Sequence, residues 1–397
     1  MIVYYDARTE SWFHTVQHQT FTLGVEEIPL LFRHAPSPSS IPFSVQTHQL
    51  NLGPLVGILA GRKGKESVVG NGPLFKKLQE GIEEHHGIAL VFTLEDIKKN
   101  GIKGHIYIPE KKSWLKIYSP FPHIVYNRLP YRALEHSEQY QSALRLFREK
   151  KICFFNPSFI DKYQLYNILK REPLLTNFLP ETILVKETEH LKAFLEKHEQ
   201  IYVKPANSAK GKGIFKVGKD NKGSIIVTKY SHQQTYPDYN TFWSEYKSFF
   251  CSKPYIAQAE VTPLLYKGNR FDLRILANFN GQSYQVTGVG VRQSGQQNLT
   301  THVLNGGKIL EFDEVKRAED EGVIEEIVNR CGQILSDELG FFGEFSIDAG
   351  LTEQGEYVIY EVNSKPMSFD EKQIEKNRID SLIALFQQFF KKQLFSL

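Results

Sequence analysis

Three oxygen-bearing side chains near the end of the chain have the types and spacing of a metal site. Asp348 lies in one apolar run, and Glu361 and Asn363 lie in a second run that follows Gly355. Each run predicts a strand, and because side chains alternate along a strand, Glu361 and Asn363 share a face. Proteins hold Mg²⁺ with a few carboxylates together with the phosphates of a substrate. The pattern predicts a Mg²⁺ site at these residues, and an amphipathic hairpin with a polar outer face is the open alternative.

A lysine inside an apolar strand pattern is the second feature that can do chemistry. Residues 201–205 predict a strand that contains Lys204, and a lysine is rarely buried without an anionic partner. The loop that follows is built of small residues, and its Lys210, Gly211 and Gly213 suit a close approach of backbone N–H groups to a phosphate. The G-x-x-x-x-G-K-[ST] spacing of a P-loop is absent. We predict a phosphate-binding loop, and a basic hairpin tip is the alternative for the loop alone.

Arginines on neighbouring strands form the third feature. Arg270, Asp272 and Arg274 alternate with apolar residues, so they share one face of a predicted strand, and Arg292 lies on the next strand. Guanidinium groups in this arrangement suit the bidentate recognition of a phosphate or a carboxylate. A ladder of cross-strand salt bridges is the alternative interpretation.

Three sections of the chain must position these groups. We expect a small β-rich module in residues 1–52, where His, Thr, Gln and aromatic residues are frequent. Residues 53–157 alternate apolar strand patterns with a helix pattern, which predicts parallel crossovers and an α/β domain. Residues 158–397 change to longer hairpins and amphipathic helices. The expected fold class is therefore α/β and α+β, with the candidate site residues in the third section.

Composition narrows the class of protein. A chain of 397 residues is too long for one compact core, and 41% hydrophobic and 23% charged residues are typical of a globular protein. The net charge of +3 gives no electrostatic case for binding nucleic acid. We expect no membrane segment and no signal peptide, because apolar runs are short and the N-terminus has no basic segment. Three scattered cysteines indicate reduced thiols in a cytoplasmic compartment.

The order of these motifs resembles the ATP-grasp superfamily, and most closely the YheC/YheD family of endospore coat-associated ATP-grasp proteins. The segments that carry the resemblance are residues 161–162, 179–182, 204–205, 258–261, 271–274 and 360–366. Residues 53–157, with Tyr126 and the four residues after it, look like the α/β domain that precedes ATP-grasp domains. The resemblance implies that residues 158–397 form the ATP-grasp domain itself.

The resemblance also implies roles for single residues. Lys204 would reach the phosphates of the nucleotide, Arg274 would stabilise the transferring phosphoryl group, and Arg292 would face substrate or phosphate. Residues 258–261 would form the hinge that receives the adenine. Asp348, Glu361 and Asn363 would hold Mg²⁺, and a mobile flap around Gly211 and Gly213 would cover the phosphates. The nucleotide-binding residues implied are Lys162, Lys204, Lys210, Gly211, Gly213, Gln258, Glu260, Arg270 and Asp272.

The activity implied by the resemblance is ATP-dependent ligation. ATP would phosphorylate a carboxylate, and an amine would then attack the acyl-phosphate. The expected cofactors are ATP and Mg²⁺, and the expected partners are an unidentified carboxylate and amine and spore-coat proteins, with no membrane and no nucleic acid. The expected location is the cytoplasm or the spore coat. The alternative is a structural coat-associated protein that binds ATP without ligase turnover.

Overall fold

The N-terminal part of the protein consists of short strands. The computed structural model describes residues 1–64, 67–208, 213–229, 232–294 and 307–393. The first strands are β1 Ile2–Asp6, β2 Ser11–His14, β3 Thr22–Leu23, β4 Ile28–Pro29, β5 Leu31–Phe32, β6 Ser40–Ser44, β7 Gln46–His48 and β8 Asn51–Gly53. They form two sheets, with the strand orders β5–β2–β1–β6 and β4–β3–β8–β7. The predicted β-rich character of this part is confirmed.

A sheet with a parallel centre follows. Its section contains β9 Leu55–Leu59, β10 Gly61–Lys63, β11 Ser67–Val69, β12 Ile88–Phe92, β13 Ile97–Lys98, β14 Gly101–Ile108, β15 Ser113–Ser119, β16 Ile124–Asn127 and β17 Cys153–Phe155. Its helices are α1 Gly72–Glu84, α2 Arg132–Glu135 and α3 Glu138–Glu149. Strand β9 pairs in parallel with β12 and β16, and β16 pairs in parallel with β17. The prediction of an α/β arrangement is therefore confirmed. Strands β10 and β11 form a separate two-stranded sheet. The other seven strands of this section form one sheet, which we call the first sheet.

A six-stranded antiparallel sheet comes next along the chain. Its section contains α4 Lys162–Leu169, α5 Pro173–Thr176, β18 Thr182–Val185, α6 Thr188–His198, β19 Gln200–Pro205, β20 Phe215–Lys219, β21 Ile225–Lys229, β22 His232–Tyr236, α7 Tyr239–Ser252 and β23 Tyr255–Ala259. The strand order is β18–β23–β19–β20–β21–β22. Helices α6 and α7 cover one face of this sheet with apolar side chains such as Leu191 and Phe242. The other face is left to line a cleft. We call it the middle sheet.

A second antiparallel sheet, which we call the last sheet, carries most of the candidate site residues. Its section contains β24 Leu265–Tyr266, β25 Asn269–Phe279, β26 Tyr284–Gln293, β27 Lys308–Leu310, α8 Asp320–Leu339, β28 Glu344–Leu351, β29 Tyr357–Asn363 and α9 Lys372–Gln393. The strand order is β27–β26–β25–β28–β29, and β24 pairs with β25. Helix α8 buries Ile324, Ile327 and Leu335 in the core of this sheet, as its amphipathic pattern predicts.

Helix α9 returns from the last sheet to the first sheet. Its side chains Ile383 and Phe386 lie in one hydrophobic core with Val56 of β9 and Tyr126 of β16. Nearer its start, Ile374 packs against Gly288 of β26, where a Cβ atom would lie only 2.7 Å from Ile374 Cγ1. The helix therefore joins two sheets that are far apart in the sequence.

Hydrophobic packing also crosses the section boundaries that the sequence suggests. Tyr5 of β1 and Leu90 of β12 belong to the same buried core. The boundaries at 52/53 and 157/158 therefore stay predictions. In the described ranges, none of the helices combines the length and the apolar composition that crossing a bilayer requires.

We expect Phe386→Ala to lower the free energy of unfolding by about 3–5 kcal/mol, because it removes a fully buried ring. Chemical denaturation measures the change. Lys376→Ala, on the exposed side of α9, is the matched control and should shift the free energy by about 0.5 kcal/mol or less. Equal losses in the two variants would contradict the packing of α9 on the first sheet.

Candidate functional site

A cleft of about 520 Å³ lies between the middle sheet and the last sheet. One wall is formed by β19, β20 and β21. The other wall is formed by the start of β25 and by the chain that follows β23. The lining includes Tyr202, Lys216, Glu260, Leu265 and Arg270. Cavities of this volume between two layers of structure commonly bind small molecules.

The polar lining of the middle sheet follows from strand alternation. Val203 and Val217 point into the core beneath α6 and α7. Their neighbours must point the opposite way, and Tyr202 lies across from Lys216, which lies across from Thr228. One face of the sheet is therefore apolar and covered, and the other presents polar groups to the cleft.

Lys204 is the buried cation of this polar face. Its Nζ donates to Oε1 of Gln258 at 2.8 Å, and Nε2 of Gln258 donates to Oγ1 of Thr182 at 3.0 Å. Burial lowers the pKa of Lys204 to about 8, while the Glu361 carboxylate opposes the shift. Within the described residues its ammonium bonds to a neutral amide and not to a carboxylate. Lys204 therefore has capacity left for an anionic ligand.

Arg270 lies where the two walls meet. Its Nε donates to Oδ1 of Asp272 at 3.0 Å, and its guanidinium lies over the Tyr360 ring, 5.1 Å from the ring centroid. Asp272 therefore fixes the orientation of Arg270. The predicted sharing of one strand face by Arg270, Asp272 and Arg274 is confirmed, because Phe271 and the other intervening apolar residues are buried.

The predicted metal residues meet on β28 and β29, at one side of the last sheet. Arg274 of β25 lies opposite Asp348 of β28, and Asp348 lies opposite Glu361 of β29. Asn363 joins them, because its Nδ2 donates to Oδ2 of Asp348 at 3.1 Å. One row across three strands therefore carries a guanidinium and two carboxylates, with an amide beside them.

Two cations neutralise the two carboxylates. Nζ of Lys162 donates to Oε1 of Glu361 at 2.7 Å, and Nε of Arg274 lies 3.3 Å from Oδ1 of Asp348. Lys162 starts α4 just after Asp161, whose side chain accepts from the N–H groups of Tyr163 and Gln164 and so caps the helix. The cap fixes the position from which Lys162 reaches across to the last sheet.

The donor set is compatible with a hard divalent cation. Asp348, Glu361 and Asn363 offer only oxygen ligands once the Asn363 amide turns its oxygen towards Asp348, a rotation that exchanges two isosteric groups. Within the described ranges, no group of three or more His, Cys, Asp or Glu side chains is placed to hold a metal. A metal site here therefore rests on two carboxylates and one amide.

Arg292 has protein partners of its own. Its guanidinium forms a bidentate pair with Glu371, in which Nη2 donates to Oε2 at 2.9 Å, and Nη2 also contacts Oδ2 of Asp370 at 3.2 Å. These acids lie just before α9, and no sequence pattern indicated them. The structure thus groups Arg292 with Glu371 rather than with the Asp348 carboxylate.

The small-residue loop after β19 is described only at its two ends. Lys210 and Gly211 lie outside the described residues. Gly213 adopts φ +77°, where glycine is favoured, and a Cβ there would lie 3.1 Å from Cγ of Pro205. At the other end, the carbonyl oxygen of Ser208 accepts from Nζ of Lys162 at 2.9 Å. The loop therefore begins and ends beside the candidate site.

The remaining predicted nucleotide residue, Glu260, lies at the cavity and away from the carboxylates. Its Oε1 is 2.7 Å from Nζ of Lys216. Sequence reasoning missed Lys216 and Tyr202 as lining residues. Strand alternation gave a signal for Tyr202, which lies two residues before Lys204 and so shares its face of β19.

Comparisons with known proteins identify the family of this chain. The model of the family described as YheC/D like ATP-grasp matches residues 151–391, which include every candidate site residue. Over 355 residues the chain is 29% identical to the endospore coat-associated protein YheD of Bacillus subtilis (strain 168), covering 83% of this chain and 76% of that protein. It is 23% identical over 293 residues to the endospore coat-associated protein YheC of the same organism, covering 69% and 79%.

A solved structure supports the fold. The VanG D-Ala:D-Ser ligase from Enterococcus faecalis superposes with a TM-score of 0.52 at 17% sequence identity, over 84% of this chain and 99% of that chain. At this identity the likeness concerns the fold alone.

We expect Lys204→Met to raise the free energy of unfolding at pH 7. The pKa of Lys204 falls from 10.5 to about 8 on folding, so its charge lowers the free energy of unfolding by about 3 kcal/mol. Removing the charge restores this amount, and losing the hydrogen bond to Gln258 subtracts about 1 kcal/mol from it. Because the unfolded chain binds more protons between pH 8 and pH 10.5, the stability of the unmodified protein should rise across this window. The variant should lack that rise.

Denaturant titrations at several pH values measure both effects. Lys197→Met, which removes an exposed lysine paired with Glu181, is the control and should keep the unmodified pH profile. A loss of stability in Lys204→Met would contradict the inference that the buried charge of Lys204 destabilises the folded protein without a ligand.

Proposed function

The chain belongs to the YheC/D-like ATP-grasp family, and from this premise we propose that it binds ATP with Mg²⁺ and joins a carboxylate to an amine through an acyl-phosphate. The observation that carries the proposal is that Glu361, which lies opposite Asp348, bonds to Lys162 and acts electrostatically on the buried Lys204. Cations for phosphates and carboxylates for a metal are the two components that phosphoryl transfer requires.

In this proposal the nucleotide lies along the cleft. The adenine and ribose occupy the 520 Å³ cavity beside Glu260 and Tyr202. The phosphates extend towards Lys204, whose ammonium exchanges a neutral amide partner for an anion. Phosphate binding by Lys210, Gly211 and Gly213 stays a prediction from the sequence, and the first two lie outside the described residues.

Asp348, Glu361 and Asn363 hold Mg²⁺ in this proposal. When bound, the ion would supply positive charge that neutralises the phosphates. Lys162, which neutralises Glu361 in the structure, then shifts its hydrogen bond towards a phosphate oxygen. Arg274 keeps its charge beside Asp348 and faces the phosphoryl group that is transferred.

The reaction consists of two displacements. A carboxylate oxygen of the first substrate attacks the γ-phosphorus of ATP, the bond to the β-γ bridging oxygen breaks, and ADP leaves. The nitrogen of the second substrate then attacks the acyl carbon, phosphate leaves with the bonding pair, and the amine proton passes to solvent. Residues such as Arg274 and Lys204 position the reactants and stabilise charge, and they form no covalent bond.

Arg292 has a more distant role in this scheme. A substrate carboxylate or phosphate that approaches it meets the guanidinium in its pair with Glu371. Arg292 therefore recognises substrate only if that pair opens.

A second candidate function is a coat-associated protein that binds ATP without turnover. The printed names of the B. subtilis relatives favour it, since both are called endospore coat-associated. Under either function we propose that the partners include coat proteins of an endospore. A search for ADP production with amino acids and short peptides as acceptors separates the two. Sustained ADP release that requires both a carboxylate and an amine supports the ligase, and ATP binding with no release across the set supports the second candidate.

We expect Glu361→Gln and Asp348→Asn each to weaken the Mg²⁺ dependence of nucleotide binding. Each near-isosteric change removes a negative ligand, so Mg²⁺ should improve the affinity for a non-hydrolysable ATP analogue at least about tenfold less than in the unmodified protein. Without Mg²⁺ the variants should bind the analogue as well as the unmodified protein, or better, because a negative charge facing the phosphates is gone.

Calorimetric titration with and without Mg²⁺ measures these affinities. Glu353→Gln, in the exposed turn of the same hairpin, is the control and should retain the full metal effect. A normal metal effect in Glu361→Gln would refute the assignment of the metal site.

A further inference from the structure

Asn363 lies at the end of its strand. Its pairing with Ser346 is the last of the register between β28 and β29, and residues 364–366 continue outside the sheet. A strand end fixed by its ladder on one side only is free to fray. The position of the Asn363 amide therefore depends on what holds the next three residues, which we call the clamp segment.

Side chains from elsewhere in the chain hold the backbone of the clamp segment. Nη2 of Arg128 donates to the carbonyl oxygen of Pro366 at 2.8 Å, and Nη2 of Arg378 donates to the same oxygen at 3.1 Å. Nδ2 of Asn156 donates to the carbonyl oxygen of Ser364. Arg128 follows β16 and Asn156 follows β17, so two of these three residues come from the ends of strands in the first sheet.

A further contact holds the side chain of Lys365, the residue between Ser364 and Pro366. Nζ of Lys365 forms a buried ion pair with Glu135 of α2 and lies 4.4 Å from the centre of the Phe159 ring. Burial lowers the pKa of Lys365 to about 8, against the attraction of Glu135. Every residue of the clamp segment is thus attached to a side chain outside the hairpin.

The guanidinium groups of the clamp are themselves immobilised. Glu344, at the start of β28, accepts from Nε of Arg378 at 2.7 Å, from Nη1 of Arg128 at 3.2 Å and from the hydroxyl of Tyr126. Glu344 and Arg378 are fully buried, and a buried charge that loses its partner costs several kcal/mol. Arg128 therefore cannot swing away from Pro366 without leaving the Glu344 pair.

Asn156 connects the two strands of the metal hairpin. Its Oδ1 accepts from the N–H of Gly343 at 3.0 Å, and its Nδ2 donates to the carbonyl oxygen of Glu344 at 2.8 Å as well as to Ser364. It adopts φ +58°, a left-handed conformation that asparagine tolerates better than most residues. One buried amide thus ties the start of β28 to the chain just beyond Asn363.

We propose that Arg128 and Asn156 are positioning residues that hold the clamp segment so that Asn363 stays beside Asp348, which makes the affinity of the site for Mg²⁺ depend on the first sheet. This inference rests on the proposed function, because it takes Asn363 as a metal ligand. The first sheet thereby contributes to a metal site whose ligands all lie in the last sheet.

Arg128→Met tests the proposal, because it removes the shorter of the two bonds to the carbonyl oxygen of Pro366 and leaves Glu344 paired with Arg378. Arg317→Met is the matched control. Arg317 also joins a buried carboxylate, Asp320, to a backbone carbonyl, that of Gly355 at 2.8 Å, but at the opposite end of the same hairpin. Each variant loses a bond to a carboxylate and a bond to a backbone carbonyl, and of the two arginines Arg128 is the one that contacts the clamp segment.

Two measurements are made on each variant. Hydrogen exchange of peptides covering residues 360–368 reports how firmly the clamp segment is held without any ligand. The Mg²⁺ concentration that half-saturates binding of a non-hydrolysable ATP analogue reports the metal site. We expect faster exchange and an about tenfold higher Mg²⁺ requirement in Arg128→Met, and neither change in Arg317→Met.

If Arg128→Met does not fold, Asn156→Gly takes its place, since glycine adopts the same left-handed φ and removes the bond to the carbonyl oxygen of Ser364. The same two changes are expected at smaller size. Unchanged exchange, or faster exchange with an unmodified Mg²⁺ requirement, would overturn the positioning role alone. If the unmodified protein shows no Mg²⁺-dependent nucleotide binding, the proposed function fails and the positioning role falls with it.

Discussion

The pairing of two carboxylates across adjacent strands is the constraint on which the candidate site depends. Asp348 and Glu361 lie directly opposite each other, and like charges in that position repel. The fold tolerates them because Arg274 and Lys162 approach from two sides. Lys162 reaches Glu361 from a capped helix outside the sheet, so this charge balance also fixes how α4 sits against the last sheet. An added cation would relieve the same repulsion, and this links a structural requirement to the proposed metal.

The middle sheet, which forms the other wall of the cleft, carries a buried positive charge where the last sheet carries two carboxylates. Lys204 is buried with a neutral amide as its hydrogen-bond partner, and burial depresses its pKa. Arg270, in contrast, is already matched by Asp272. Lys204, the cation that can still bind an anionic ligand, therefore lies close to the two carboxylates. At the other end of the cavity, Lys216 is paired with Glu260. A ligand with several negative charges at one end and an uncharged body would satisfy both ends of the cleft.

Contacts between distant parts of the chain hold this site together. Glu344 joins Tyr126 and Arg128 of the first sheet's section to Arg378 of the last helix, and all four side chains are buried. Helix α9 adds apolar packing between the first and last sheets. The hydrogen bonds of the charged cluster are directional and fix how the two sheets are oriented. The apolar packing buries surface between them, so the two sheets meet in one arrangement.

Much of this protein was determined by its sequence alone. Strand alternation put Glu361 and Asn363 on one face and Arg270, Asp272 and Arg274 on another, because a period of two is a local property of the backbone. The predicted hairpin then brought Asp348 of the partner strand beside the first pair. The ordered motifs identified the family for the same reason, since each is a short segment. The roles of Lys204 and the other candidate residues stay predictions. Only the tertiary structure decided that Glu371 pairs with Arg292, that α9 packs on the first sheet, and that Arg128 and Asn156 hold the chain after Asn363. These contacts join residues that are 79 to more than 200 positions apart, and no local periodicity records which distant side chains will share a buried volume.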